Sequence, residues 1–271
     1  MCEISSTTPI LLDGERLDEV NENLRLIQKT RGLTFGTDAF LLAAYIRPQA
    51  KATAVELGGG TGIVSLLLAA RKKIKHVTAV EIQPAFAELI ERNAKLNGLE
   101  TTVSARCTSV CDITAADFGG EVDLVLSNPP YMKCNAGKRN LEDEKYIARH
   151  EVCGRIDDFC AAAGRLLRHG GRFVCVWRPD RLSELFSALH AAHLETKRMT
   201  FVHADAHAEP CMVLLEAVKF GAPAMRVTPP LLLYREQTKG ETKRTLTPEA
   251  QKIYDECSFP DVCQKESNTK I

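Results

Sequence analysis

The sequence predicts an α/β fold, with a doubly wound, mainly parallel seven-stranded sheet, helices on both faces and one antiparallel strand at its edge. Three observations carry this. From residue 52 to about 218, short apolar runs alternate with helical stretches of about ten residues or more. Such alternation makes parallel strands joined by helical crossovers. The first strand ends in a glycine-rich turn that opens the next helix. The last two apolar runs have no helical stretch between them, so one must run antiparallel to the rest.

The elements follow in order. "ATAVEL" (52–57) is a short apolar run that stops at Gly58, and "IVSLLLAARKK" (63–73) is helical. "HVTAVEI" (76–82) is a second strand. "PAFAELIERNAKLNGL" (84–99) is a helix with Pro at its start and Asn-Gly at its end, the expected punctuation. "TTVSAR" and "VDLVLS" are strands, and "IDDFCAAAGRLLRHGG" reads as a helix closed by Gly170 and Gly171. "RFVCVW" is a strand, "DRLSELFSALHAAH" a helix, and "TKRMTFV" and "CMVLLEAV" complete the seven strands. This core spans residues 51–220. Residues 1–50 form an N-terminal extension, with a small hairpin in "NLRLIQKTRGLTF" and a helix in "TDAFLLAAYI". Residues 221–271 form a C-terminal extension whose polar tail, from about 255, is expected to be partly flexible.

Composition narrows the function classes. The 35 basic and 35 acidic side chains give a formal net charge of zero. Any nucleic-acid surface must therefore be a local patch. No apolar run approaches ~18 residues, so no membrane partner is expected. "MCEISSTTPILLDGERLDEV" has neither a basic nor an apolar stretch of the kind that opens a secretory signal. The ten cysteines are scattered without a C-x-x-C, so a bound metal and a disulfide framework are not expected. Reduced thiols in a cytoplasmic protein are the better reading.

"VELGGGTG" (55–62) lies between a strand and a helix. Its spacing is G-x-G-x-G, and Ile63 stands where a nicotinamide fingerprint needs its third glycine. Glu56 precedes the loop. Glu81, about 20 residues on, ends the next strand, where a carboxylate can accept bonds from ribose hydroxyls. These features predict a nucleotide-like cofactor.

"SNPPYMK" (127–133) is the second signal. Pro129 and Pro130 end the fourth strand abruptly, because proline has no ladder donor. Ligands of open α/β sheets lie beyond the carboxyl ends of the strands. A planar amino group, such as the exocyclic amine of adenine, is a poor nucleophile because its lone pair is delocalised. The Asn128 side-chain oxygen and the Pro129 carbonyl can accept its two N–H bonds and favour a reactive geometry. Tyr131 offers a face for stacking.

"ELGGGTG" together with "SNPPY" resembles the class I S-adenosylmethionine-dependent methyltransferases that carry an N-P-P-Y signature. That resemblance implies a Rossmann-like fold and S-adenosyl-L-methionine as cofactor. The signature occurs in adenine-N6 enzymes and in enzymes that methylate the glutamine amide of release factors, so it does not separate the two. "LRLIQKTRGLTFGTDAFLLAAYI", "ARHE", "GRFVCVWRPDRLSELF", "ETKRMTFVH" and "PPLLLY" resemble the bacterial tRNA(Val) adenine-N6 methyltransferases. The resemblance runs from about residue 15 to 255. Release-factor enzymes carry a helical domain ahead of the core for which this chain has no room. The alternatives are that enzyme, another RNA or DNA adenine-N6 methyltransferase, or an RNA-binding module that has lost catalysis.

The resemblance implies roles for particular residues. Asn128, Pro129, Pro130 and Tyr131 would be catalytic, with Asn128 also touching the cofactor. Gly58, Gly60 and Gly62 would pass its methionine part, with Glu56 beside them. Glu81 would hold the ribose and Ile82 would pack on the adenine ring. Asp112, with Ile113, would meet the adenine amino group. Phe35, Gly36, Thr37 and Asp38 would close the pocket. Gly59 stands where the family often has a bulkier residue, a position taken as variable. Lys133, Lys138, Arg139, Arg149 and His150, on a long polar connection, are candidates for the RNA phosphates. "KGETKR" (239–244) is another basic candidate.

Overall fold

The computed structural model describes residues 10–30, 36–129, 154–236 and 244–264. An antiparallel hairpin comes first, β1 (Glu15–Asn21) and β2 (Leu24–Lys29). Its turn lies at residues 22–23, where the Asn21 side chain accepts the Asn23 amide at 3.0 Å. The sequence had placed the hairpin within residues 23–35. The first strand was missed because "ERLDEVN" is polar and only partly buried, with no apolar alternation.

The helix α1 (Thr37–Tyr45) follows, and Ala39 to Tyr45 are all buried. A helix apolar on every side belongs inside the protein. Then come β3 (Thr53–Leu57), α2 (Ile63–Ala70), β4 (His76–Glu81), α3 (Pro84–Leu96), β5 (Val103–Cys107) and β6 (Val122–Ser127). Next are α4 (Ile156–Leu166), β7 (Leu167–Trp177), α5 (Leu182–Ala191), β8 (Leu194–His203) and β9 (Pro210–Lys219). Two short strands, β10 (Arg226–Val227) and β11 (Leu231–Leu232), precede α6 (Pro248–Glu256) and α7 (Asp261–Gln264).

The main sheet runs β8-β9-β7-β6-β3-β4-β5, with β10 and β11 both pairing in parallel on β8. The expected seven strands are present, and the two short ones bring the total to nine. The antiparallel strand is β9, paired antiparallel to both β7 and β8. It sits one place in from the edge of the seven rather than on it, because β8 and β9 form a hairpin whose second strand docks on β7. Strand order reverses between β3 and β6, so the ends of "VEL" and "LVLS" lie side by side. Leu57 pairs with Ser127.

Side chains alternate across this sheet. Ala54, Val77, Leu124 and Leu126 join α1, α2 and α3 in one core. Val55, Leu57, Val80 and Val125 join α4 and α5 in the other.

Two further expectations need correction. The fourth helix-like stretch, "IDDFCAAAGRLLRHGG", ends at Leu166, and Leu167 already pairs with Val122. Gly170, at φ +74°, and Gly171 form a kink inside β7 rather than a helix cap. The tail between residues 255 and 264 is built into the core: Phe259 is 1% exposed, and Cys257 and Cys263 are buried. Few apolar residues suffice there because Cys257, Phe259 and Cys263 all enter the core, although Val262 stays exposed. Among the described residues, no helix is long and apolar enough to cross a membrane.

Candidate active site

The glycine loop leaves the carboxyl end of β3. Gly58, Gly60 and Gly62 have φ of +76°, +53° and +81°, so the G-x-G-x-G spacing is a run of alternate left-handed residues. The amides of Gly58 and Gly59 donate to the Val80 carbonyl at 2.9 and 3.0 Å. This holds the loop against β4. A Cβ on Gly60 would meet nothing within 4 Å, so the loop faces open space there. Gly59 is different. A Cβ on it would lie 2.9 Å from the Ala79 Cβ and 3.0 Å from Ile90 Cδ1. The position taken as variable is closed by packing in this chain.

Glu81 ends β4 beside the loop. One carboxylate oxygen accepts the Gly60 amide and the other the Gln83 amide, both at 2.9 Å. The group is buried, and desolvation raises its pKa. Ile82, next along, is half-buried. Asp112 is an exposed turn residue beyond β5, whereas Ile113 is 1% exposed and packed in the core beside α4.

Glu56 was expected among the cofactor ligands. Its carboxylate instead accepts the Ser65 amide at 3.1 Å and the Ser65 hydroxyl, at the first turn of α2. Glu56 therefore fixes the junction of loop and helix. Burial pushes its pKa up to about 7, with the nearby Glu81 charge acting in the same direction.

Asn128 follows β6 across the switch point from Gly58. The Ser127 hydroxyl donates to the Leu57 carbonyl at 2.8 Å and locks the two strand ends together. Ser127 was missed, although a hydroxyl closing an apolar strand was a visible signal. The Asn128 Nδ2 donates to Asp38 Oδ2 at 2.8 Å. An ionised carboxylate only accepts, so this contact fixes the amide rotation, with Oδ1 turned the other way. Asp38 also accepts the Ala39 amide at 3.0 Å, so it is held at the start of α1. Thr37 beside it accepts a bond from the Tyr254 hydroxyl at 2.9 Å. Gly36 precedes Thr37, and Pro129 is buried next to Asn128. Phe35, Pro130, Tyr131, Lys133, Lys138, Arg139, Arg149 and His150 lie outside the described residues, as do the first five residues of "KGETKR".

On the β7 side of Asp38 is a cavity of about 760 Å³. It is lined by Thr37 and Asp38, by Trp177 to Asp180 at the end of β7, and by Glu209 to Met212 at the start of β9. Asp38 thus stands between this cavity and Asn128, while the glycine loop lies on the β3 side. Thr37 and Asp38 were expected at a pocket, but the segments 177–180 and 209–212 were not, because they lie about 30 residues apart in the sequence.

Comparisons with known proteins accord with this geometry. The methyltransferase small domain family matches residues 30–199. A tRNA1(Val) (adenine(37)-N6)-methyltransferase of Phocaeicola vulgatus is 30% identical over 68% of this chain and 76% of its own length. A protein of the same name from Porphyromonas gingivalis is 29% identical over 67% of this chain and 72% of its own length. Among solved structures, a predicted O-methyltransferase from Agrobacterium tumefaciens superposes with a TM-score of 0.64 at 20% identity. It covers 82% of this chain and 98% of its own. At that identity the likeness speaks for the fold alone.

Proposed function

Because the chain belongs to the methyltransferase small domain family, and to the tRNA1(Val) adenine-N6 branch of its relatives, we propose that it methylates adenine N6 in tRNA. The cofactor in this reading is S-adenosyl-L-methionine, which supplies an electrophilic methyl group. The observation that carries the reading is the Asn128–Asp38 contact at the end of β6, beside a glycine loop that faces open space.

The residues present fit that cofactor. The left-handed glycines let backbone approach it, and a side chain on Gly60 would occupy the space it needs. Glu81 offers two carboxylate oxygens at the strand end, where ribose hydroxyls would replace loop amides as partners. Gly36, Thr37 and Asp38 close the other side, and Ile82 and Asp112 flank the cofactor base.

The chain's own work is orientation. Asp38 holds Nδ2 of Asn128, so Oδ1 presents an acceptor to the adenine amine. The Pro129 carbonyl is the second acceptor. Together they would turn the N6 lone pair toward the side of the pocket where the bound cofactor would supply its methyl group. The neighbouring cavity has the volume for a nucleotide swung out of its stack. Pro130 and Tyr131 complete the motif. Lys133, Lys138, Arg139, Arg149 and His150 are the proposed phosphate contacts. The division into residues 1–50, 51–220 and 221–271 belongs to the same reading.

The test uses purified protein, methyl-labelled cofactor and bulk tRNA, followed by nucleoside mass spectrometry. The expected product is N6-methyladenosine. Label found only on a release-factor peptide would overturn the RNA assignment, and no transfer to either would overturn the enzyme assignment.

A further inference from the structure

α3 and its C-cap carry two asparagines four residues apart, Asn93 and Asn97, both turned toward the N-terminal hairpin. The Asn97 side chain accepts the Arg25 amide at 2.9 Å and donates to the Arg25 carbonyl at 2.8 Å. The Asn93 side chain does the same for Ile27, at 2.7 and 3.1 Å. The spacing explains the pairing. Four helical residues rise ~6 Å. Two strand residues rise ~6.6 Å. A helix with Asn at i and i+4 therefore matches the outward backbone groups of alternate strand residues. In this way α3 serves as the neighbour of β2 on the side away from β1.

Asn93 makes one bond that Asn97 does not. Its Nδ2 also donates to the Thr61 carbonyl at 3.0 Å. Thr61 stands between Gly60 and Gly62, both left-handed, in the loop proposed to hold the cofactor. Its carbonyl lies before the helical ladder of α2, which begins with the Gly62 carbonyl accepting Leu66. Glycines on both sides make that peptide soft, and Asn93 removes the softness. Asn93 is fully buried, so its loss cannot be made good by water.

We infer that Asn93 is a positioning residue that couples the N-terminal hairpin to the glycine loop and holds the loop ready for its ligand. Resting on the cofactor reading above, this makes the hairpin part of the binding site although it need not touch the ligand.

Asn97→Ala is the control, because it weakens the same strand contact without touching the loop. The readouts are calorimetric affinity for S-adenosylhomocysteine and amide exchange at residues 60–62. Both are made at a temperature where circular dichroism shows each variant folded. Asn93→Ser replaces Asn93→Ala if the latter does not fold. The Asn93 variant is expected to bind about tenfold more weakly and to exchange faster at residues 60–62, with Asn97→Ala near wild type in both. Equal affinities and equal loop exchange in the two variants would overturn the coupling. If the wild type itself does not bind S-adenosylhomocysteine, the cofactor reading falls. Loop exchange then decides the coupling alone: faster in the Asn93 variant supports it, and unchanged overturns it.

Discussion

The two halves of the sheet are finished by different means. On the β3-to-β5 side, the loop is shaped by left-handed glycines and backbone bonds, with two buried carboxylates as the fixed points. On the β6-to-β8 side, the walls are made by paired side chains. Asn128 and Asp38 meet at 2.8 Å, and the buried Glu216 takes Arg172 and Arg198 at 2.6 and 2.9 Å. The first half depends on what the backbone can do locally. The second depends on partners that arrive from elsewhere in the chain. Local damage should therefore affect binding on one side and chemistry on the other.

The largest effect is expected at Asn128. Asn128→Ala should lower kcat by ~10²–10³, as loss of one preorganised group does. Cofactor affinity should stay within a few fold. Asn128→Asp sets a carboxylate against Asp38, so it should be nearly as poor. The exchanged pair Asp38→Asn with Asn128→Asp should recover part of kcat. Steady-state rates on tRNA decide this, and a double variant no better than Asn128→Asp would show that the contact does not orient the amide.

On the other side, Glu81→Ala should weaken S-adenosylhomocysteine binding by ~1.5–3 kcal/mol without unfolding the chain. Unchanged titration calorimetry would make Glu81 a strand-end residue only.

Next comes Gly59→Ala, expected to cost ~1–3 kcal/mol in denaturant unfolding because the added methyl overpacks the site. Adding Ala79→Gly should restore part of the loss, since Ala79 supplies the closest atom. A neutral Gly59→Ala would mean that the loop yields freely.

The smallest effect depends on pH. The Glu56 carboxyl is raised from 4.5 to about 7 in the folded chain, chiefly by desolvation. Below its unfolded pKa the group is neutral in both states. As pH rises through this window, the folded state loses stability relative to the unfolded one, and the loss is complete above the folded pKa. Glu56→Gln should therefore gain on the wild type between pH 5 and pH 8, by on the order of 1 kcal/mol. A melting-temperature difference that is flat with pH would refute the buried charge.

How far the sequence could be read follows the same division. The strands, the G-x-G-x-G turn and Glu81 were legible because period, glycine and strand-end acid are local signals. The bond from Ser65 to Glu56 was not legible, because Ser65 follows a turn whose geometry no spacing specifies. The β1 strand was hidden by its polarity. The Gly170–Gly171 pair looked like a helix cap because a kink within a strand uses the same residue type. The wall formed by Trp177 to Asp180 and Glu209 to Met212 gave no signal as a site. It exists only once β9 has docked against β7.

That docking has a consequence for synthesis. β8 does not pair with β7, because β9 lies between them. Its strand partners β9, β10 and β11 all come later in the chain. Arg198 on β8 waits for Glu216, and then for the carbonyl of Cys263 near the far end. As the chain leaves the ribosome, β8 therefore emerges before anything it can pair with. A chain released before residue 210 is made would present open strand edges on both β7 and β8 to the cell. Truncated products of that length should be the ones that chaperones and proteases see most.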